Sequence, residues 1–73
     1  MSIDLKRQLI ARMRDVQHLL DCHSERPGGM DPGKLLVVVH GDVMTMAAYA
    51  QQLEAAYTDQ DEDGAKRLLA VVV

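Results

Sequence analysis

The clearest structural signal in this chain lies in residues 35–57, LLVVVHGDVMTMAAYAQQLEAAY. Seven mostly apolar side chains recur there at alternating steps of three and four residues: Leu36, Val39, Val43, Met46, Ala50, Leu53 and Tyr57. This spacing aligns side chains along one side of an α-helix. The stretch therefore predicts one long helix over about residues 32–58, weakened at Gly41.

The first part of the same stretch permits a second interpretation. Residues 35–39 are rich in β-branched side chains and end shortly before Gly41, so propensity alone would allow a buried strand followed by a helix that starts at Asp42. We favour the single helix because it keeps Leu36 and Val39 in the row formed by the later residues. A strand gives no reason for that alignment.

Helices on either side complete the predicted fold. A row of apolar side chains predicts a first helix over about residues 3–23, with a solvated opposite side. Prolines and glycines place a loop at residues 24–33. Asp59 and Glu62 have the spacing of a capping box, which predicts a short third helix over about residues 60–71. The row on the first helix consists of Leu5, Leu9, Met13, Val16 and Leu20.

These elements predict an all-α fold, an antiparallel helical hairpin plus a short C-terminal helix, in a single small domain over residues 1–73. The second helix carries a further apolar stripe of Val37, Met44, Ala48 and Ala55. A helix that is apolar nearly all round has to be buried nearly all round. A chain of 73 residues has little else with which to cover it, so we expect a homodimeric helical bundle.

The apolar surface left over on the second helix carries the functional prediction. We expect a small non-catalytic protein–protein interaction module, such as an adaptor, a chaperone-like subunit or an inhibitor. Its partners are another protein and a second copy of itself. Methionine suits such a surface because its unbranched, polarisable side chain adapts to different partner shapes. The predicted partner contacts are Val37, Met44, Ala48 and Tyr49.

A nucleic-acid-binding regulator is the alternative function. Arg7 and Arg14 lie on one face of the first helix and Arg12 flanks that face, and such a basic helix can contact phosphates without a sequence-specific motif. Against this, the chain has 8 basic and 11 acidic residues, a formal net charge of -3, and its aromatic residues are only Tyr49 and Tyr57. We therefore predict a protein partner in preference to nucleic acid.

The acidic residues after the second helix have the chemistry of calcium ligands. Residues 59–64, DQDEDG, resemble the first six positions of the calcium loop of EF-hand proteins. The resemblance implies Asp59, Asp61 and Asp63 as ligands, but the twelfth position, normally Glu, is Ala70. Acidic residues at a helix N-terminus, where they oppose the positive end of the helix dipole, explain the same pattern.

Histidine and cysteine residues offer a second possible metal site. His18 and Cys22 are one helical turn apart, which suits two ligands of a tetrahedral zinc site, and His23 and His40 are further candidates. Structural zinc sites usually have two close pairs of ligands, and this chain has one complete pair. We therefore expect no metal and no cofactor.

We expect no catalytic residues and no membrane partner. Cys22 and His23 are adjacent, so on a helix they diverge and cannot form a nucleophile and base without another chain. The longest apolar run, residues 35–39, is too short to span a bilayer, and the N-terminus does not read as a signal peptide. A single cysteine fits a reducing compartment, so we expect a cytoplasmic protein.

The chain ends in an apolar tail, residues 68–73, LLAVVV. We expect this tail to pack back onto the bundle. The alternatives are a linear element offered to a partner and a terminal strand that pairs with residues 35–39.

Overall fold

The computed structural model describes residues 1–25, 28 and 32–71. Within these residues the chain forms three α-helices, a short 3-10 turn and a two-stranded antiparallel hairpin. The all-α prediction is therefore wrong, because a mostly helical fold includes a β-hairpin. In chain order the elements are α1 (Ile3–Glu25), the 3-10 turn (Pro32–Lys34), β1 (Leu36–Val39), β2 (Asp42–Thr45), α2 (Met46–Asp59) and α3 (Glu62–Leu69).

The predicted helix over about residues 32–58 is wrong in its first half. Strands β1 and β2 pair antiparallel, and Val39 lies opposite Asp42 at the end of the hairpin. Only His40 and Gly41 connect the strands, and their φ angles of 53° and 90° match the two central residues of a type I′ turn. A right-handed helix needs negative φ at every residue, so this turn excludes a continuous helix.

The row of side chains at steps of three and four residues does not lie on one face. Side chains of a strand alternate between two faces. Val39 is 4% exposed, whereas Leu36 and Val43, members of the same row, are 63% and 62% exposed. Burial in β1 therefore follows the period of a strand, and Val37 and Val39 both face the core.

Side-chain caps determine where α2 and α3 begin. The Thr45 hydroxyl accepts a hydrogen bond from the backbone N–H of Ala48 at 3.2 Å, which caps α2. In the same way, the Asp61 carboxylate accepts from the backbone N–H of Gly64 at 3.0 Å and caps α3. The third helix, predicted over about residues 60–71, consequently begins after Asp61.

Helices α1 and α2 run antiparallel. Met46, the first residue of α2, donates its backbone N–H to the carbonyl of Leu35 at 2.9 Å. The 3-10 turn just before Leu35 contacts both helices. The start of α2 thus lies close to the chain that follows α1, and α2 returns along α1.

The core lies between the three helices and one face of the hairpin. Its largest fully buried side chains are Tyr49, Leu9 and Leu53. Each aliphatic side chain buried in this way contributes about 1.5–3 kcal/mol before the cost of chain ordering. The α1 members match the row that predicts the first helix. The buried side chains are Leu5, Leu9, Val16, Val37, Val39, Met46, Tyr49, Leu53, Ala56, Ala65 and Leu68.

The described part of the C-terminal tail returns to the hairpin. Leu68 and Leu69 belong to α3, and Val71 forms an isolated antiparallel bridge with Val39. Since Val39 already pairs with β2, this bridge lies on the opposite edge of β1, as the strand alternative predicts for part of the tail. Residues 72 and 73 lie outside the described residues.

None of the described helices combines the length and the apolar character that a membrane-crossing helix needs.

Candidate functional site

The face of the hairpin turned away from the core is the candidate functional site. Residues directly opposite each other in an antiparallel pair share a face, so Leu36 lies with Thr45 and Val38 lies with Val43. Leu36 and Val43 are exposed, and Val38 is half-buried. We call Leu36, Val38 and Val43 the outer face. It is aliphatic and carries no charge.

The one polar residue on this side of the hairpin already has a partner inside the chain. Thr45 is half-buried, and its hydroxyl caps α2. An antiparallel sheet with one face packed on a core usually carries polar side chains on its other face. Three aliphatic side chains on the outer face depart from this pattern. Contiguous exposed apolar patches commonly mark binding sites.

The predicted partner contacts lie in or beside the core. Val37 is 4% exposed and Tyr49 is 1% exposed, so neither offers a surface to a partner. Met44 and Ala48 are half-buried, and Met44 lies opposite Val37 on the inner face of the hairpin. Val37 and Met44 were assigned to a helix stripe, whereas they lie on paired strands; Ala48 and Tyr49 do lie on α2.

Two residues of the outer face were assigned to internal packing by the helical interpretation. Leu36 and Val43 are members of the row at three- and four-residue steps, and that row predicts that both face the core. The alternation of a strand places both outside. A polar residue followed by Gly41 between two apolar runs is the signal that could have revealed the hairpin.

A groove of about 230 Å³ adjoins the outer face, between α1 and the chain around β1. Leu36 borders both, and exposed Leu19 extends the apolar surface onto α1. The α1 wall extends from Arg12 to His23, a length of roughly 16 Å at helical rise. Most of the lining is apolar: Val16, Leu19, Leu35, Leu36, Val37, Met46 and Val71.

Charged and polar residues also line this groove: Arg12, Asp15, His23 and Tyr49. His23 has a buried Nδ1 atom without a hydrogen-bond partner among the described residues. Burial raises the pKa of the Tyr49 hydroxyl, and the positive charge of Arg12 offsets part of that rise. The Tyr49 hydroxyl donates a hydrogen bond to the carbonyl of Leu68. Tyr49 therefore acts as a neutral structural donor that joins α2 to α3.

The structure separates Arg12 from the other two arginines of the alternative prediction. Arg7 and Arg14 are exposed and lie two turns apart on one side of α1. Arg12 is half-buried and lines the groove beside the hairpin, whereas Arg14 lines a separate groove between α1 and α2. These three side chains therefore form no continuous basic surface for phosphate contacts.

The possible metal ligands are scattered. His18 Nε2 lies 3.6 Å from Cys22 Sγ, as one helical turn predicts, while His40 lies in the hairpin turn. Asp59 ends α2, and Asp61 is occupied in capping α3. Across the part of the chain that the structure describes, no three His, Cys, Asp or Glu side chains are grouped so that they could hold a metal ion.

Comparison of the chain with protein-family models, with curated proteins and with solved structures found no match. Function therefore has to be inferred from the outer face and the groove beside it.

Proposed function

We propose that this protein is a non-catalytic interaction module, such as an adaptor, a chaperone-like subunit or an inhibitor, that binds another protein through the outer face. The observation that carries the proposal is the exposure of Leu36 and Val43, at 63% and 62%, on a surface without charge. Full burial of a Leu or Val side chain is worth roughly 1.5–3 kcal/mol. A partner that covers the outer face gains much of this free energy.

The fold supports presentation of a rigid surface. Val37 and Val39 anchor the opposite side of the hairpin in the core, and the type I′ turn fixes the register of the strands. The groove beside Leu36 is smaller than a typical pocket for a drug-sized ligand, so it suits an aliphatic or aromatic side chain of the partner. An anchor side chain in a pocket is typical of the residues that dominate binding energy.

The proposal includes a cytoplasmic location. Cys22 is an exposed free thiol. A reducing compartment keeps such a thiol from forming mixed disulfides. Cell fractionation followed by detection of the native chain tests the location, and recovery in an oxidising compartment would contradict it.

Affinity capture from the source cell tests the outer face. The protein carrying both Leu36→Thr and Val43→Thr is compared with the unchanged protein and with Ile3→Thr. Threonine keeps the strand preference of the hairpin. Ile3 is the matched control because it is also apolar and exposed but lies at the start of α1.

The expected result is at least a tenfold loss of the captured partner with the double variant and no loss with Ile3→Thr. Undiminished capture by the double variant would contradict the proposal. Nuclease treatment of the same lysates separates the alternative function: a partner retained through nucleic acid disappears on digestion, whereas a protein bound to the outer face remains.

A further inference from the structure

We infer that a second groove is the site at which a second copy of this chain binds. It lies on a different side of α1 from the groove that adjoins the outer face. This groove of about 610 Å³ lies between α1 and α2. Its walls are residues 10, 13, 14 and 17 of α1 and residues 50, 51, 54, 57 and 58 of α2. This groove shares no residue with the outer face. The dimer and the binding of another protein to the outer face can therefore be tested independently.

Each wall of this groove carries one charge. Arg14 is the charged residue on the α1 wall, and Glu54 is the charged residue on the α2 wall. Both are exposed, and neither forms an ion pair with another described residue. The other lining residues of the groove are neutral. Four of them are apolar side chains that are half-buried or exposed: Ile10, Met13, Ala50 and Tyr57.

Arg14 and Glu54 lie at the same height along the common direction of the two helices. Arg14 lies in the middle of the α1 stripe, and Glu54 lies in the middle of the α2 stripe. A two-fold axis parallel to the helices and above the groove brings α1 of each copy over α2 of the other. Arg14 of each copy then faces Glu54 of the partner subunit. The same patch meets itself, as closed two-fold symmetry requires.

The second copy is favoured over an unrelated partner because the surface is complementary to itself. The charges pair reciprocally, and the antiparallel helices of two copies form a four-helix arrangement with neutral or apolar contacts between the charges. The groove residues extend over about 12 Å of helix, so a face two helices wide, about 20 Å, covers roughly 240 Å² in projection. Two such faces are smaller than a standard specific interface, so the dimer is weak and dissociates on dilution.

Charge reversal tests this dimer. Sedimentation equilibrium is measured over a concentration series at low ionic strength for the unchanged chain, for Arg14→Glu, for Glu54→Arg and for an equimolar mixture of the two variants. Lys34→Glu and Glu25→Arg are matched controls, because they make the same charge changes at exposed positions outside the groove. Circular dichroism checks the folding of each variant.

The unchanged chain of 8.1 kDa is expected to double its mass reversibly as its concentration rises. Each single variant weakens dimerisation by about tenfold or more, because two attractive pairs become repulsive. The mixture regains dimerisation, since the two introduced side chains face each other and the native Arg14 faces the native Glu54. The controls dimerise like the unchanged chain.

Three results would overturn the inference: a monomer at every concentration, single variants that dimerise normally, or a mixture that is no tighter than its components. Should a charge-reversal variant fail to fold, Arg14→Gln and Glu54→Gln replace it. Each of these neutral variants then has to weaken dimerisation, because it removes two attractive pairs, and an unchanged affinity would overturn the inference equally.

Discussion

The two faces of the hairpin contain the same kinds of side chain but differ in burial. Val37 and Val39 are 4% exposed, whereas Leu36 and Val43 are more than half exposed. All four are aliphatic, and the three valines share the preference of β-branched residues for strands. Only the inner pair contributes packing to the core. The difference indicates that the inner face stabilises the fold and that the outer face is available for binding.

The largest expected effect on stability comes from making the same isosteric change, valine to threonine, on each face of the hairpin. Val37→Thr puts a hydroxyl into the core, and we expect it to lower the free energy of unfolding by about 1–3 kcal/mol. Val43→Thr puts the same hydroxyl into water and should change it by no more than about 0.5 kcal/mol. Urea unfolding followed by circular dichroism measures both. Equal losses would show that the two faces are not distinct.

A second effect tests the core beneath the inner face. Tyr49→Phe leaves the Leu68 carbonyl without its donor, and we expect a loss of about 1–2 kcal/mol near neutral pH. Because the pKa of Tyr49 is raised in the folded state, its hydroxyl adds stability below pH 10 that is lost as pH rises through the folded-state value.

Unfolding measured across this alkaline range should therefore show a Tyr49-dependent loss of stability that Tyr49→Phe removes. Tyr57→Phe is the control, because Tyr57 is exposed in the groove between α1 and α2. This control should retain the alkaline loss. An identical alkaline profile for Tyr49→Phe and the unchanged chain would contradict the role assigned to Tyr49.

The smallest effect concerns the turn that keeps the two faces apart. His40 adopts a positive φ of 53°, which is unfavourable for most side chains, and Asn-Gly is the preferred pair in a type I′ turn. His40→Asn should therefore raise the free energy of unfolding by roughly 0.5 kcal/mol. Gly41→Ala, at a φ of 90°, should lower it by about 1 kcal/mol. Thermal unfolding that ranks the two variants in the opposite order would argue against this turn.

Helical periodicity describes α1 well and describes residues 35–45 poorly, for a physical reason. On α1 one side of the helix is buried, so Leu5, Leu9 and Val16 show the period directly. In the hairpin, the row at steps of three and four residues includes Val39 by coincidence. Val39 is buried because it lies on the inner face of a strand. The positive φ of the turn, rather than the row, determines the structure there.

The candidate site was harder to predict from the sequence than the first helix. Which face of a hairpin is covered depends on where the helices pack, and the local sequence does not contain that information. The alternation of residues 36–39 separates two faces without saying which one is free. The groove between α1 and α2 depends in the same way on the antiparallel packing of two distant segments.

The outer face is tested most directly by photo-cross-linking in the source cell. A photoreactive phenylalanine analogue replaces Val43 in one variant and Ile3 in another, both exposed apolar positions. We predict that the analogue at position 43 cross-links to a distinct protein and that the analogue at position 3 does not. Equal cross-linking from both positions, or cross-linking from position 3 alone, would contradict the assignment of the outer face as the docking surface.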